Sequence, residues 1–112
     1  MENITFEEFE KVELVVGTIV AAQPFTEAHR PAYIIQADFG SKIGSLKSSA
    51  QITTRYKHGD LIGRQIIGIV NLPPKQIGPI RSQFLITGFH CKDGSVVLAQ
   101  PEQLVPNGTK LT

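Results

Sequence analysis

The chain has 112 residues, 41% of them hydrophobic, and a formal net charge of +1. This is enough apolar material for the core of one domain, which excludes a largely disordered chain. No apolar run approaches the ~20 residues of a membrane span, the start Met1-Glu2-Asn3-Ile4 lacks the pattern of a secretory leader, and the lone Cys91 excludes an intrachain disulfide, so a cytoplasmic protein with no membrane insertion is expected.

Thr5-Phe6-Glu7-Glu8 has capping-box spacing and opens a short helix over about residues 5–12, with Phe6 and Phe9 on one face. From Glu13 the pattern changes. Leu14 to Val20 is β-branched and nearly continuous, as in a buried strand, and Gly17 inside it suggests a bend or bulge. Pro24 and Pro31 bracket a loop. Ala32 to Phe39 alternates, with Tyr33, Ile35, Ala37 and Phe39 on one side. A shorter strand follows over about Ser45 to Ser49. Gln51 to Lys57 shows no alternation and reads as a helical turn, ended by His58-Gly59-Asp60. Arg64 to Leu72 is a strand apolar on both sides, with a second bend at Gly68. A basic, proline-rich loop spans Pro73 to Arg81. Phe84 to Phe89 and Ser95 to Ala99 are the last strands, separated by the turn signal Lys92-Asp93-Gly94. Five or six short strands with a helical insert between the third and fourth favour a five-stranded OB-type barrel over a sandwich.

The net charge hides an asymmetry. Residues 1–41 hold two cations and seven acids, whereas residues 42–81 hold seven cations and one acid. Such separation produces a basic face or pairs two subunits, unless the fold interleaves the segments and cancels the field.

No catalytic constellation is legible. Ser48, Ser49 and Ser82 lack a nucleophile-elbow setting. His29, His58 and His90 are far apart, and His90-Cys91 lacks the further ligands of a structural zinc. No metal, cofactor or enzymatic role is expected.

On an OB-type barrel, ligands meet the face of strands two and three and the loops joining strands one–two and four–five. Here those loops carry His29 and Arg30, and Lys75 and Arg81, with Ile77 and Ile80 adding apolar surface. Three prolines stiffen the second loop and lower the entropy lost on engaging a partner. The alternative is a rigid barrel closure with solvated ends. Base stacking is poorly served: there is no Trp, and Phe6, Phe9, Phe39, Phe84 and Phe89 fall at core-like positions.

The run Asn71-Leu72-Pro73-Pro74-Lys75-Gln76-Ile77-Gly78-Pro79-Ile80-Arg81-Ser82-Gln83 resembles the signature of the tRNA-binding-domain family. Val12 to Val20, Gly63-Arg64, Asp93 to Leu98 and Pro106-Asn107-Gly108 resemble its other segments. Ser48-Ser49-Ala50-Gln51-Ile52-Thr53 and the double proline are similar to one branch, the CsaA-type export-related chaperones. The resemblance implies one OB-fold domain over residues 1–112, with the barrel from about residue 13. It further implies a cytoplasmic homodimer that binds unfolded preproteins or peptides without ATP, and a residual affinity for tRNA. It carries over Asn71, Lys75, Ser82 and Gln83 as binding positions; Arg30 and Arg81 are added on their charge. Ser48, Ser49, Gln51, Ile77 and Ile80 are candidates for a groove or dimer interface. The sequence departs from the family signature where Pro73, Gln76 and Gly78 stand in place of cations, Arg81 replaces an acid and Phe84-Leu85 replace Gly-Met. Fewer cations mean fewer phosphate contacts, which favours peptide over tRNA. A tRNA-binding module is the competing reading, motivated by the signature and the basic middle segment.

Overall fold

A computed structural model describes all 112 residues. Thr5 caps helix α1 (Phe6–Glu10): its hydroxyl accepts from Glu8 N at 3.1 Å, and Glu8 Oε1 accepts from Thr5 N at 3.0 Å. The helix stops before the expected residue 12. Asn71 draws the following chain away, donating to Lys11 O at 2.6 Å and accepting from Glu13 N at 2.9 Å.

Strand β1 (Leu14–Pro24) is the spine of the barrel. Its first half pairs with β4 (Gln65–Ile69), and its second half with β2 (Tyr33–Asp38), which pairs in turn with β3 (Ser45–Ala50). With β7 (Leu85–Ile86) the sheet order is β3-β2-β1-β4-β7. Its ends approach at one point, where Gln83 N donates to Lys47 O at 2.7 Å and Lys47 N donates to Gln83 Oε1 at 3.0 Å. The result is a nearly closed OB-type barrel. The chain's tail lies along the first half of β1, with Leu111 N donating to Leu14 O and Val16 N to Thr109 O.

Gly17 and Gly68, where bends are expected, are places of close packing. A Cβ on Gly17 would sit 2.7 Å from the Phe39 ring, and one on Gly68 would sit 2.9 Å from it. The glycines leave room for Phe39, which stands edge-on to Phe84 with centroids 5.0 Å apart. The bulge falls at Val20, where the register of β1 against β2 shifts. Around Phe39 pack Ile19, Ile35, Ala37 and Ile66, all fully buried.

The helical insert lies later than expected. Thr53–Arg55 form a turn, and the helical element is a single 3-10 turn, His58–Leu61. Its position follows from Leu61, which is fully buried in the core.

The proline-rich segment is a β-hairpin rather than an irregular loop. Strands β5 (Lys75–Ile77) and β6 (Ile80–Ser82) pair through Gln76↔Arg81, flanked by Ile77↔Ile80 and Lys75↔Ser82. Gly78 at φ +55° supplies the positive φ that a primed two-residue turn requires at its first position, and Pro79 fixes the negative φ of the second. The expected strand Phe84–Phe89 is split at Thr87, where the pairing partner changes. Thr87 N donates to Ile67 O of β4, and Thr87 O accepts from Ala99 N. Strand β8 (Gly88–His90) then pairs with β9 (Val96–Leu98).

Two phenylalanines expected in the core are on the surface. Phe6 is 69% exposed and Phe89 is 65% exposed. Phe6 lies on a helix too short to cover its own apolar face, and Phe89 points outward from the two-stranded β8–β9 ribbon, which nothing covers on that side.

Candidate functional site: the groove beneath the hairpin

The β5–β6 hairpin folds over one end of the barrel, and its tip rests near the buried Phe25, 3.7 Å from where a Gly78 Cβ would lie. This brings the two expected loops together. Beneath the hairpin is a groove of about 290 Å³, with Leu72, Ile77, Phe84 and Leu85 as apolar lining and Lys75 as its single charged residue. Ser48, Ser49, Ser82 and Gln83 complete its polar wall. A second cleft of about 480 Å³ shares Ser49, Lys75 and Ile77, and adds His29, Arg30 and Gln51.

The polar wall also holds the barrel shut. Ser82 Oγ accepts from Ser49 N at 3.2 Å and donates to Ser48 Oγ at 3.4 Å. Gln83 is spent on Lys47. Ser48 is therefore buried without an unpaired hydroxyl. Both sequence readings of this segment thus have a counterpart: it closes the barrel, and it lines a groove.

Three nominated residues are not gathered here. Asn71 is committed to the backbone on either side of Val12. Arg81 pairs with Gln76 and so faces opposite to Lys75 across the hairpin, because side chains alternate along a strand. Ile80 pairs with Ile77 and lines neither cleft. Read as a loop, the segment lets Lys75 and Arg81 converge; read as a hairpin, it separates them. Leu72, Phe84 and Leu85 were not singled out from the sequence as lining residues. A hairpin reading around Gly78-Pro79 would have found them.

The charge asymmetry survives folding in one respect. The structure has one ion pair, Lys110 Nζ to Glu13 Oε2 at 2.7 Å, and it uses none of the cations of residues 42–81. No group of three or more His, Cys, Asp or Glu is placed to hold a metal ion. No helix is long and apolar enough to cross a membrane. The tyrosines are occupied in packing: Tyr33 OH donates to Tyr56 O, and Tyr56 OH accepts from Leu98 N. Both rings are half-buried.

Residues 14–110 match the profile of the family described as "Putative tRNA binding domain". Methionine–tRNA ligase of Pyrococcus furiosus is 32% identical over 99% of this chain, and methionine–tRNA ligase 1 of Bacillus anthracis is 34% identical over 98%. The chain spans only 15% and 16% of the length of those relatives. Among solved structures, the chaperone CsaA from Bacillus anthracis is 44% identical with a TM-score of 0.92, covering 99% of this chain and 100% of that one. The CsaA chaperone protein from Picrophilus torridus is 41% identical with a TM-score of 0.90, covering 98% and 100%. With the barrel, the hairpin signature and full-length agreement in hand, the chain belongs to the tRNA-binding-domain family and is of the CsaA type.

Proposed function

We propose that this protein is a cytoplasmic, ATP-independent chaperone that works as a homodimer, binds unfolded preproteins and assists their secretion, and is not an enzyme. The observation that carries this reading is the composition of the groove: four apolar side chains and one cation. A phosphate backbone is held by several cations at once, whereas an unfolded peptide presents apolar side chains with scattered charge. The likeness to CsaA chaperones over the whole chain supports it.

A second copy of the chain has a natural seat at the end where helix and tail meet. Phe6, Val12 and Leu111 are exposed apolar residues of those segments. Asn71 holds Lys11 and Glu13, and Lys110 reaches Glu10 O and Glu13, so the segments bearing them are tied together. Patches of this kind mark association surfaces. Light scattering at micromolar concentration tests the dimer; a species at the chain mass of 12.3 kDa contradicts it. Suppression of the aggregation of an unfolded preprotein tests the chaperone activity, and no effect at molar excess contradicts it.

Binding of tRNA is the second reading, favoured by the family match and by the ion-pair-free cations of the middle segment. It predicts retention of tRNA at low salt that fades as salt rises.

A further inference from the structure

The β7–β8 segment has one side paired and one side bare. Thr87 N bonds β4, Thr87 O accepts from Ala99 N, and Cys91 N bonds Ser95 O. The odd-numbered residues therefore turn their backbone groups toward β4 and β9. Ile86 pairs with Gly68, and Gly88 and His90 pair with Leu98 and Val96, all at the alternate, non-bonded positions. Their N–H and C=O groups point the other way, and no loop or tail segment bonds them. Three successive outward residues thus offer a ladder with no partner strand.

Across from this edge, the barrel stays open. Beyond the closure at Lys47 and Gln83, β3 and β7 part and leave a gap of about 500 Å³ between Ser49–Ile52 and Leu85–Gly88. On the far bank, Gln51 makes no backbone hydrogen bond. No Lys, Arg, Asp or Glu lines the gap, so it suits neither a phosphate chain nor a charged small molecule. Beside the edge runs an apolar row on the outer face. Leu85 is 49% exposed, Phe89 65%, and Val97, paired with Phe89, 36%.

We propose that the open edge of β7–β8 is a strand-addition site for an extended, unfolded polypeptide segment with apolar side chains at alternate positions. The unpaired backbone groups specify a backbone as the occupant, and an unsatisfied edge is a template for another strand. Main-chain hydrogen bonds to Ile86, Gly88 and His90 supply affinity that is blind to sequence, as a chaperone requires. The row Leu85–Phe89–Val97 selects for alternate apolar side chains. This inference deepens the chaperone reading and rests on it.

The test is amide hydrogen exchange on the full chain with a short peptide alternating valine and threonine, lysine at each end, as the probe. Exchange at Ile86, Gly88 and His90 slows about tenfold or more when the peptide is bound, and not with a peptide N-methylated at alternate residues. Phe89→Ser weakens peptide binding about tenfold without unfolding an exposed site. Slowing confined to Lys75 and Leu72, or binding indifferent to N-methylation, overturns the proposal. So does protection of the three amides in the free protein that grows with its concentration, since a second copy then occupies the edge. A parallel assay of client aggregation separates the two ideas. Suppression without protection of the edge removes strand addition and leaves the chaperone; protection without suppression leaves the strand site and removes the chaperone.

Discussion

The groove beneath the hairpin and the open β7–β8 edge lie on either side of the same closure, and they present different chemistry. The groove presents side chains: an apolar lining, a serine wall and Lys75. The edge presents backbone, with an apolar row beside it. A client segment engaging both would be held by chemistry common to all unfolded chains at one place and by its own side chains at the other. If the proposed function holds, the contrast teaches that a chaperone surface need not be one apolar patch. On that reading it is an unfinished barrel whose seam is closed at one point, by backbone and side chain together, and left open beyond it.

Substitutions can break this contrast at graded depth. The largest effect is at Gly17, in the barrel core. Gly17→Val drives a side chain into the Phe39 ring, 2.7 Å from the added Cβ, and costs about 3 kcal/mol of stability in denaturant unfolding. Next is the closure itself. Gln83→Ala strips Lys47 N of its side-chain acceptor and costs about 1 kcal/mol. In hydrogen exchange, the amide of Lys47 becomes exchangeable while those of β1 stay protected. The third effect separates the hairpin's two faces. Lys75→Ala weakens unfolded-preprotein binding about fivefold, a loss of about 1 kcal/mol, whereas Arg81→Ala changes it less than about twofold. Equal effects in a titration would mean that the two cations act together after all.

The smallest effect lies away from both regions. Asp93 accepts from the Ser95 hydroxyl and then from Ser95 N, and these bonds hold its carboxyl below the usual range. A depressed carboxylate contributes stability above its unfolded pKa and loses it as pH falls through the folded one. Asp93→Asn is therefore slightly less stable than the parent at neutral pH, and thermal melts of the two converge on acidification.

Much of the barrel was legible in the chain. The capping box at Thr5 and Glu8 is local chemistry, and the alternation from Tyr33 to Phe39 reports one buried face directly. The outcome at Gly17 and Gly68 was not legible, because a missing Cβ signals a bend or a close neighbour alike, and only the fold brings Phe39 against them. The hairpin was obscured by its three prolines, which suggest a loop until Gly78-Pro79 is seen as a two-residue turn. Arg81 is nominated from the sequence on its charge, and charge does not say which face of a hairpin a residue takes. Phe89 was misplaced for a further reason: alternation says which residues share a face, not whether anything covers that face.

The most direct test of the peptide-over-tRNA account is binding of an unfolded preprotein and of tRNA, measured side by side as salt is raised through the physiological range. With one cation in the groove, preprotein binding persists at physiological salt, while tRNA binding is weak and falls with a shallow slope on a logarithmic scale. Tighter binding of tRNA than of preprotein at physiological salt, lost steeply as salt increases further, would contradict it.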